Sequence, residues 1–437
     1  MSVGPRSGAQ PGEPADLAGW LARLEGAHPA AIELGLERVR AVGERLGVLE
    51  PAARVITVAG TNGKGSVART LEALLRRAAG LTTALYTSPH LHRFNERLRL
   101  DGAEAADAPL AAAIARVERA RAQAGVRLTY FEHTTLAAFD LFQRSGADTW
   151  ILEVGLGGRL DAVNAVAPDV AVVTGIGRDH TDLLGADLAG IAREKAGIFR
   201  AGRPAVIGQP DAPAALHEAA AAIGAAVVEP GTGFATGEAG DGSWWWQGGG
   251  LRWSGLPAPQ VPGAAARGNA ATALAAFAQL PEAQRADSAS VAAALAGARV
   301  PGRLERIPDG GLEWLLDVAH NADGAAELAE VLAALPAAGR CLAVFAVAAR
   351  KDAGTVVAAV QPQVDAWYLP EPGEADMRSA AEAAEAVAAA GGRTALCGLD
   401  LAATLAAVQR DARSGDRVVV FGSFRTVAAV QTQQGWE

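Results

Sequence analysis

Long apolar runs are missing from this chain. No uninterrupted stretch approaches the roughly 18 to 20 residues a membrane-spanning helix needs, although half of the 437 residues are apolar and mean hydropathy is +0.15. Excess positive charge is missing too. A net charge of −9 and an isoelectric point near 5.4 argue against nucleic acid and against a polybasic membrane contact. Cysteine is down to two residues, Cys341 and Cys397, both in apolar strand-like segments and expected to be reduced core thiols. The N-terminal stretch "MSVGPRSGAQPGEPAD" lacks the apolar segment of a signal peptide and reads as a flexible tail. These absences leave a cytoplasmic, enzyme-sized protein with room for two domains.

Lysine is the scarcest cation. Of 39 basic residues only three are lysines, Lys64, Lys195 and Lys351. Abundant Ala, Gly and Arg suggest a GC-rich genome in which Arg stands wherever a surface cation suffices. A lysine kept under that pressure is expected to do something a planar, non-titrating guanidinium cannot. Asparagine is rare as well, and Asn62 shares one glycine-rich turn with Lys64.

Strand and helix patterns alternate along most of the chain, as in a mostly parallel sheet. Strands are expected at "RVITVAG", "TTALYTS", "TWILEVG" and "DVAVVTGIG". After the first of them Val67, Leu71, Leu74, Leu75 and Ala78 recur at helical spacing, with Arg69, Glu72, Arg76 and Arg77 on the other face. From about 224 to 263 the texture turns to Gly, Trp and Pro, which suggests short antiparallel strands inserted in the first domain, with the tryptophans as local packing. A joint at 298–311, "ARVPGRLERIPDGG", leads to a second set of strands at "EWLLDVAHN", "RCLAVFAVA", "DAWYLPE", "GRTALCG" and "DRVVVFGSF".

Chemistry concentrates at strand ends. In "VITVAGTNGKGSVART" a buried strand runs through a glycine-rich turn into a helix, so backbone N–H groups and the positive helix end face one anion. The spacing departs from G-x-x-x-x-G-K-[ST], because Val58 occupies the first glycine position and Gly65 separates Lys64 from Ser66. Lys64 can reach β- and γ-phosphates, and the Ser66 hydroxyl can ligate Mg²⁺. Glu153 closes the strand "WILE", where α/β sheets place ligands. Asp179, His180 and Asp182 follow "VVTGIG"; Asp317, His320 and Asn321 follow "EWLL", with Asn321 or Asp323 also able to cap the next helix. Lys195, in "IAREKAGIF", lies on or beside an apolar face, either snorkelling or functional.

The segments "GTNGKGS", "TSPHLHRFNER", "FEHTTLAAF", "LEVGLGGRLDAVN", "DHTDLLG", "IAREKAGIF", "GNAATAL", "PGRLE", "LDVAHN" and "GSFRTVA" occur in an order that resembles the folylpolyglutamate synthase/dihydrofolate synthase family, a branch of the Mur ligase superfamily. The unusual loop spacing is that family's own. The resemblance implies an α/β fold: a P-loop-type, mostly parallel ATPase domain over 21–298, containing the Gly/Trp-rich insertion, then a smaller Rossmann-like domain over 299–437, behind a tail over 1–20. It implies an ATP-dependent ligase that phosphorylates a carboxylate and lets the amine of L-glutamate attack the acyl phosphate. Gly60, Thr61, Asn62, Gly63, Lys64, Gly65 and Ser66 would cradle the phosphates. Asn269, Arg303 and Asp317 would hold the adenosine, and His320 would stand near the phosphates. Two Mg²⁺ ions are implied, held by Ser66, Glu153, His180 and a carbamylated Lys195, with Lys64, Lys195 and His320 catalytic.

For the acceptor, Phe131, Asp161, Ala162 and Ser88 match positions that line a pterin pocket, which favours the bifunctional enzyme acting on dihydropteroate and on reduced folates. Phe131 as core and Asp161 as a helix cap is the plainer reading of the same residues. The alternatives are a folate-only polyglutamylase, another Mur-type amide ligase, or a non-catalytic nucleotide-binding homologue. A monomer with small-molecule partners only is expected. Three departures stand out: no His-Gln pair precedes Asn269, "AVFAVAARKD" replaces a different family run while keeping Lys351 and Asp352, and Arg425 stands where many members carry His.

Overall fold

The computed structural model describes residues 13–27, 33–258, 263–336 and 339–436. The first sheet contains β1 (Arg54–Ala59), β2 (Thr83–Tyr86), β3 (Leu98–Leu100), β4 (Ala103–Glu104), β5 (Thr149–Glu153), β6 (Val170–Val173), β7 (Pro204–Ile207) and β8 (Ala226–Val228). Their order is β4-β3-β2-β5-β1-β6-β7-β8, parallel except at the β2-β3-β4 edge. β1 is covered on both sides, with Val58 opposite Glu153 of β5 and Val172 of β6. A strand enclosed in this way reads as an unbroken apolar run, and Val55, Ile56, Val58 and Ala59 are all buried. Because β5 and β6 flank β1, their C-terminal ends open beside its glycine-rich turn, the crevice that such sheets offer to ligands.

The helix Lys64–Arg77 buries Val67, Leu71, Leu74 and Leu75. Glu72, expected on its polar face, is buried instead, where it accepts from Arg99 Nε at 3.1 Å. β9 (Phe234–Glu238), β10 (Trp244–Gly248) and β11 (Leu251–Leu256) form an antiparallel sheet against the helix Ala264–Phe277, through a stack of Phe234, Trp246, Trp253 and Phe277. Each buried indole of the stack finds a carbonyl: Trp246 Nε1 donates to Ala271 at 3.1 Å and Trp253 Nε1 to Ala286 at 3.0 Å. The insertion begins later than its composition suggested, since β8 still belongs to the parallel sheet.

The second sheet, β12 (Glu305–Asp309), β13 (Leu312–Leu316), β14 (Cys341–Phe345), β15 (Ala366–Leu369), β16 (Thr394–Cys397) and β17 (Arg417–Phe421), has the order β12-β13-β17-β14-β15-β16. Only the β12–β13 pair is antiparallel. Two expectations need correction. Cys397 is exposed at the end of the edge strand β16, so it is no core thiol, while Cys341 is partly buried and burial pushes its thiol up to about 12. The tail drawn over 1–20 ends too late: Leu17 and Trp20 are buried in the helix Leu17–Ala27, and residues 1–12 lie outside the described residues.

Candidate active site

The turn after β1 fixes the site. Gly60 and Gly63 take φ values of 149° and 82°, and the helix Lys64–Arg77 begins at once. A side chain at Gly63 would overlap the Asn269 carboxamide, so glycine there lets the helix Ala264–Phe277 close on the loop. Lys64 Nζ donates to the Gly60 and Thr61 carbonyls at 3.0 and 3.1 Å, and Lys195 Nζ donates to the same Gly60 carbonyl at 2.9 Å. Lys195 is 4% exposed, so it does not snorkel. Burial, reinforced by Lys64, pulls its ammonium down to about 7. Glu153 is buried as well; desolvation raises its carboxyl against the pull of Lys64, and Ser88 N donates to it at 3.0 Å.

Two clefts meet at this loop. The larger, of about 720 Å³, is lined by the loop from Gly60 to Gly65, by Ser88, Phe131, Glu153, Asp161, Ala162, His180 and Lys195, and by Arg303, His320, Arg350, Lys351 and Ser423–Arg425 from the C-terminal half. All three lysines of the chain face it. The second cleft, of about 530 Å³, is lined by Ser66, Asn269, Arg303, Asp317 and Glu327, with Trp244, Pro257, Ala265 and Ala266 as apolar wall. Asn62, Gly63 and Arg303 border both clefts. The structure therefore gathers every residue singled out in the loop and at the strand ends around one junction, except Asp182, which is exposed on the helix Thr181–Leu184.

Several residues have two duties. Asp161 caps the short helix Ala162–Ala165, accepting from Val163 N at 2.9 Å and Leu156 N at 2.8 Å, and still borders the larger cleft. Burial raises its carboxyl to about 6 despite those backbone donors. Phe131 is half-buried over Gly155, where any side chain would overlap its ring. Asp317 accepts from Leu304 N at 2.9 Å and Ala319 N at 2.7 Å, which pins the strand end carrying His320. Asn321 is the N-cap of the helix Ala322–Ala334, accepting from Gly324 N at 2.9 Å.

A polar knot joins the halves. Asn321 Nδ2 donates to Asn62 Oδ1 at 3.1 Å and to Asp179 Oδ2 at 3.0 Å; His320 Nε2 lies 3.3 Å from the same carboxylate, and Lys351 pairs with its other oxygen. Burial alone would raise Asp179, but His320 and Lys351 hold it well below the usual carboxylate range. His180 beside it has a left-handed backbone, φ 51°, and desolvation lowers its imidazole to about 4, so it is neutral and able to ligate. Sequence reasoning left Lys351 without a role and did not single out Arg350, whose NH1 is 3.2 Å from His180 Nδ1. Both follow an irregular strand end whose shape no periodicity reports. Arg425 pairs with Asp376 at 2.5 Å.

Among the described residues no three His, Cys, Asp or Glu side chains form a ready metal cage. The donors present fit Mg²⁺ all the same, because that ion takes one or two carboxylates and completes its shell with phosphate oxygens and water. Glu153, buried with a single backbone donor, and Ser66 at the helix start supply such a set.

Residues 58–233 match the family model described as Mur ligase middle domain, and residues 302–424 that of the Mur ligase, glutamate ligase domain. The chain is 42% identical over 419 residues to the dihydrofolate synthase/folylpolyglutamate synthase of Escherichia coli (strain K12), covering 95% of this chain and 94% of that protein. The structure of E. coli FolC in complex with DHPP and ADP superposes with a TM-score of 0.89 at 40% identity, covering 98% and 99% of the two chains. A bifunctional folylpolyglutamate synthase/dihydrofolate synthase with Mn, AMPPNP and L-glutamate bound gives 0.87 at 41% identity, covering 96% and 98%.

Proposed function

Because the chain belongs to the dihydrofolate synthase/folylpolyglutamate synthase branch of the Mur ligases, we propose that it uses ATP to join L-glutamate to dihydropteroate, giving dihydrofolate, and to reduced folates, extending their glutamate tails. The observation that carries this reading is the junction: a loop built for phosphates stands where a nucleoside-sized cleft opens into a larger one bearing an aromatic ring, the buried carboxyls of Glu153 and Asp161, and three lysines.

An acceptor carboxylate oxygen attacks the γ-phosphorus of ATP, the bond to the β-phosphate oxygen breaks, and ADP leaves. The amine of L-glutamate then attacks the acyl carbon, loses a proton, and expels inorganic phosphate. Loop N–H groups and Lys64 neutralise charge on the transferred phosphoryl, and the geometry replaces a bimolecular encounter by an in-line one. Lys64 must leave the Gly60 and Thr61 carbonyls to do so, a small motion because those groups belong to its own loop. Mg²⁺, held by Ser66 and Glu153 with a second ion at His180 and Lys195, would supply charge neutralisation on the phosphates. A Lys195 amine lowered to about 7 is largely free base above that pH and can add CO₂ to form a carbamate. Asn269, Arg303 and Asp317 hold the adenosine, Phe131 stacks on the pterin, and Asp161, Ala162 and Ser88 line its edge. His320 stands at the phosphates. The assignment divides the chain into an ATP-binding domain up to residue 298 that takes in the helix Leu17–Ala27 and a ligase domain over 299–437, acting as a cytoplasmic monomer. No helix among the described residues is long and apolar enough to cross a membrane.

The test is phosphate release with Mg-ATP and L-glutamate, offering dihydropteroate and tetrahydrofolate separately. Release with both is expected. Release with tetrahydrofolate alone removes the synthase half and returns Phe131 and Asp161 to packing or polyglutamylation. Silence with both, from folded protein, overturns the reading.

A further inference from the structure

We propose that Glu327 binds the ribose hydroxyls of the nucleotide and thereby selects ribonucleotides over deoxyribonucleotides. This rests on the nucleotide reading above and adds a residue to it. Three carboxylates border the second cleft, and two of them already accept from groups of the protein. The carboxylate of Asp317 accepts one backbone N–H on each oxygen, which leaves each a lone pair for the nucleoside, and that of Glu305 accepts from Gly302 N at 3.0 Å and Gln431 Nε2 at 3.1 Å. Arg306 is paired with Glu313 and the Thr70 hydroxyl donates to Ser66 O at 2.8 Å. Among the described residues, neither oxygen of Glu327 has a hydrogen-bond or ion-pair partner, although its side chain borders the cleft. Its two oxygens are therefore free to accept from a ligand in the cleft.

Its place along the cleft selects the donor. Glu327 lies six residues after Asn321, the N-cap that touches Asn62 of the phosphate loop. At 1.5 Å per residue it stands about 9 Å along the helix axis from the phosphate end. The same cleft has an apolar wall of Trp244, Pro257, Ala265 and Ala266, a slot suited to a flat base, and Gly263, two residues before Ala265, lies against Val331, one turn of the helix past Glu327. Between phosphates and base comes the ribose, whose vicinal hydroxyls are two donors in search of one carboxylate. Desolvation and the nearby Asp317 raise the Glu327 carboxyl to about 7, so near neutrality it can also donate to a ribose oxygen.

Calorimetric titration of the full chain with ADP and with 2′-deoxy-ADP needs no turnover and so separates this claim from the ligase reaction. The wild-type chain is expected to prefer ADP by roughly tenfold, the worth of one hydrogen bond to an acidic group. In Glu327→Ala the preference is expected to collapse to within about twofold, with ADP weakened more than 2′-deoxy-ADP, which keeps its 3′-hydroxyl, while Glu327→Gln, which keeps an acceptor and a donor, retains most of it. An unchanged melting temperature checks that both variants are folded. A wild-type chain that binds both nucleotides alike, or a Glu327→Ala variant that discriminates as the wild type does, overturns the proposal while leaving the ligase reading intact. Absence of any ADP binding overturns both.

Discussion

His133 is 2% exposed within the helix Tyr130–Ser145, with Nε2 3.2 Å from the Ile114 carbonyl, and desolvation lowers its imidazole from 6.5 to about 4. Between those two values the unfolded chain binds a proton that the folded chain refuses, so stability rises with pH through the window and is lost on acidification. At pH 5 the wild type should have lost roughly 2 kcal/mol of stability relative to pH 7 through this residue, by 1.36 kcal/mol per unit. Denaturant unfolding of His133→Gln should lack that part of the slope; an equal slope in both proteins would show that the imidazole is protonated in the fold. At the loop, Lys64→Ala is expected to lower kcat by at least 10²-fold, since on the proposed function it removes a charge that neutralises the transferred phosphoryl. Scarcity makes such residues legible in the sequence. With only three lysines in the chain, Lys64, Lys195 and Lys351 stand out by count alone, and all three face one cleft. Nothing comparable marks Glu327, one of two glutamates on an Ala-rich helix.

At the scale of elements, the end of β5 and the helix Tyr130–Ser145 together make the aromatic wall of the larger cleft. Phe131 rests on Gly155, so Gly155→Ala must displace the ring. The expected result is a KM for dihydropteroate raised about tenfold, the cost of a lost aromatic contact, with the KM for ATP unchanged. Parallel changes in both would mean that the strand end itself had shifted. Buried parallel strands were readable because they are uninterrupted apolar runs between turn residues. The strands missed are short or at edges: β3 and β4 have three and two residues, β7 and β8 four and three, and β12 holds Pro308 and Asp309 where sheet propensity is poor. Cys397 misled for the same reason, since an edge strand can read as apolar and still turn its side chains to water.

For the whole molecule the decisive contacts are those between the two sheets, which local sequence cannot report. Asp179 beyond the end of β6 and Lys351 beyond β14 are 172 residues apart and bridge the halves directly. Asp179 also holds Asn321 and His320, and its neighbour His180 meets Arg350. One carboxylate therefore holds the second sheet's side of the cleft against the glycine-rich loop after β1. Removing one partner of a largely buried pair costs more than the pair is worth, because the other charge stays behind. Lys351→Met should accordingly lower kcat by about 10- to 100-fold through misplacement of the domains. Nucleotide affinity should change less than about threefold, since none of the residues bordering the nucleoside cleft depends on Lys351 for a bond. If instead ADP binding weakens in step with kcat, the knot serves the nucleotide directly and not the register of the two domains. Its place beside His180 would then make it part of the phosphate site.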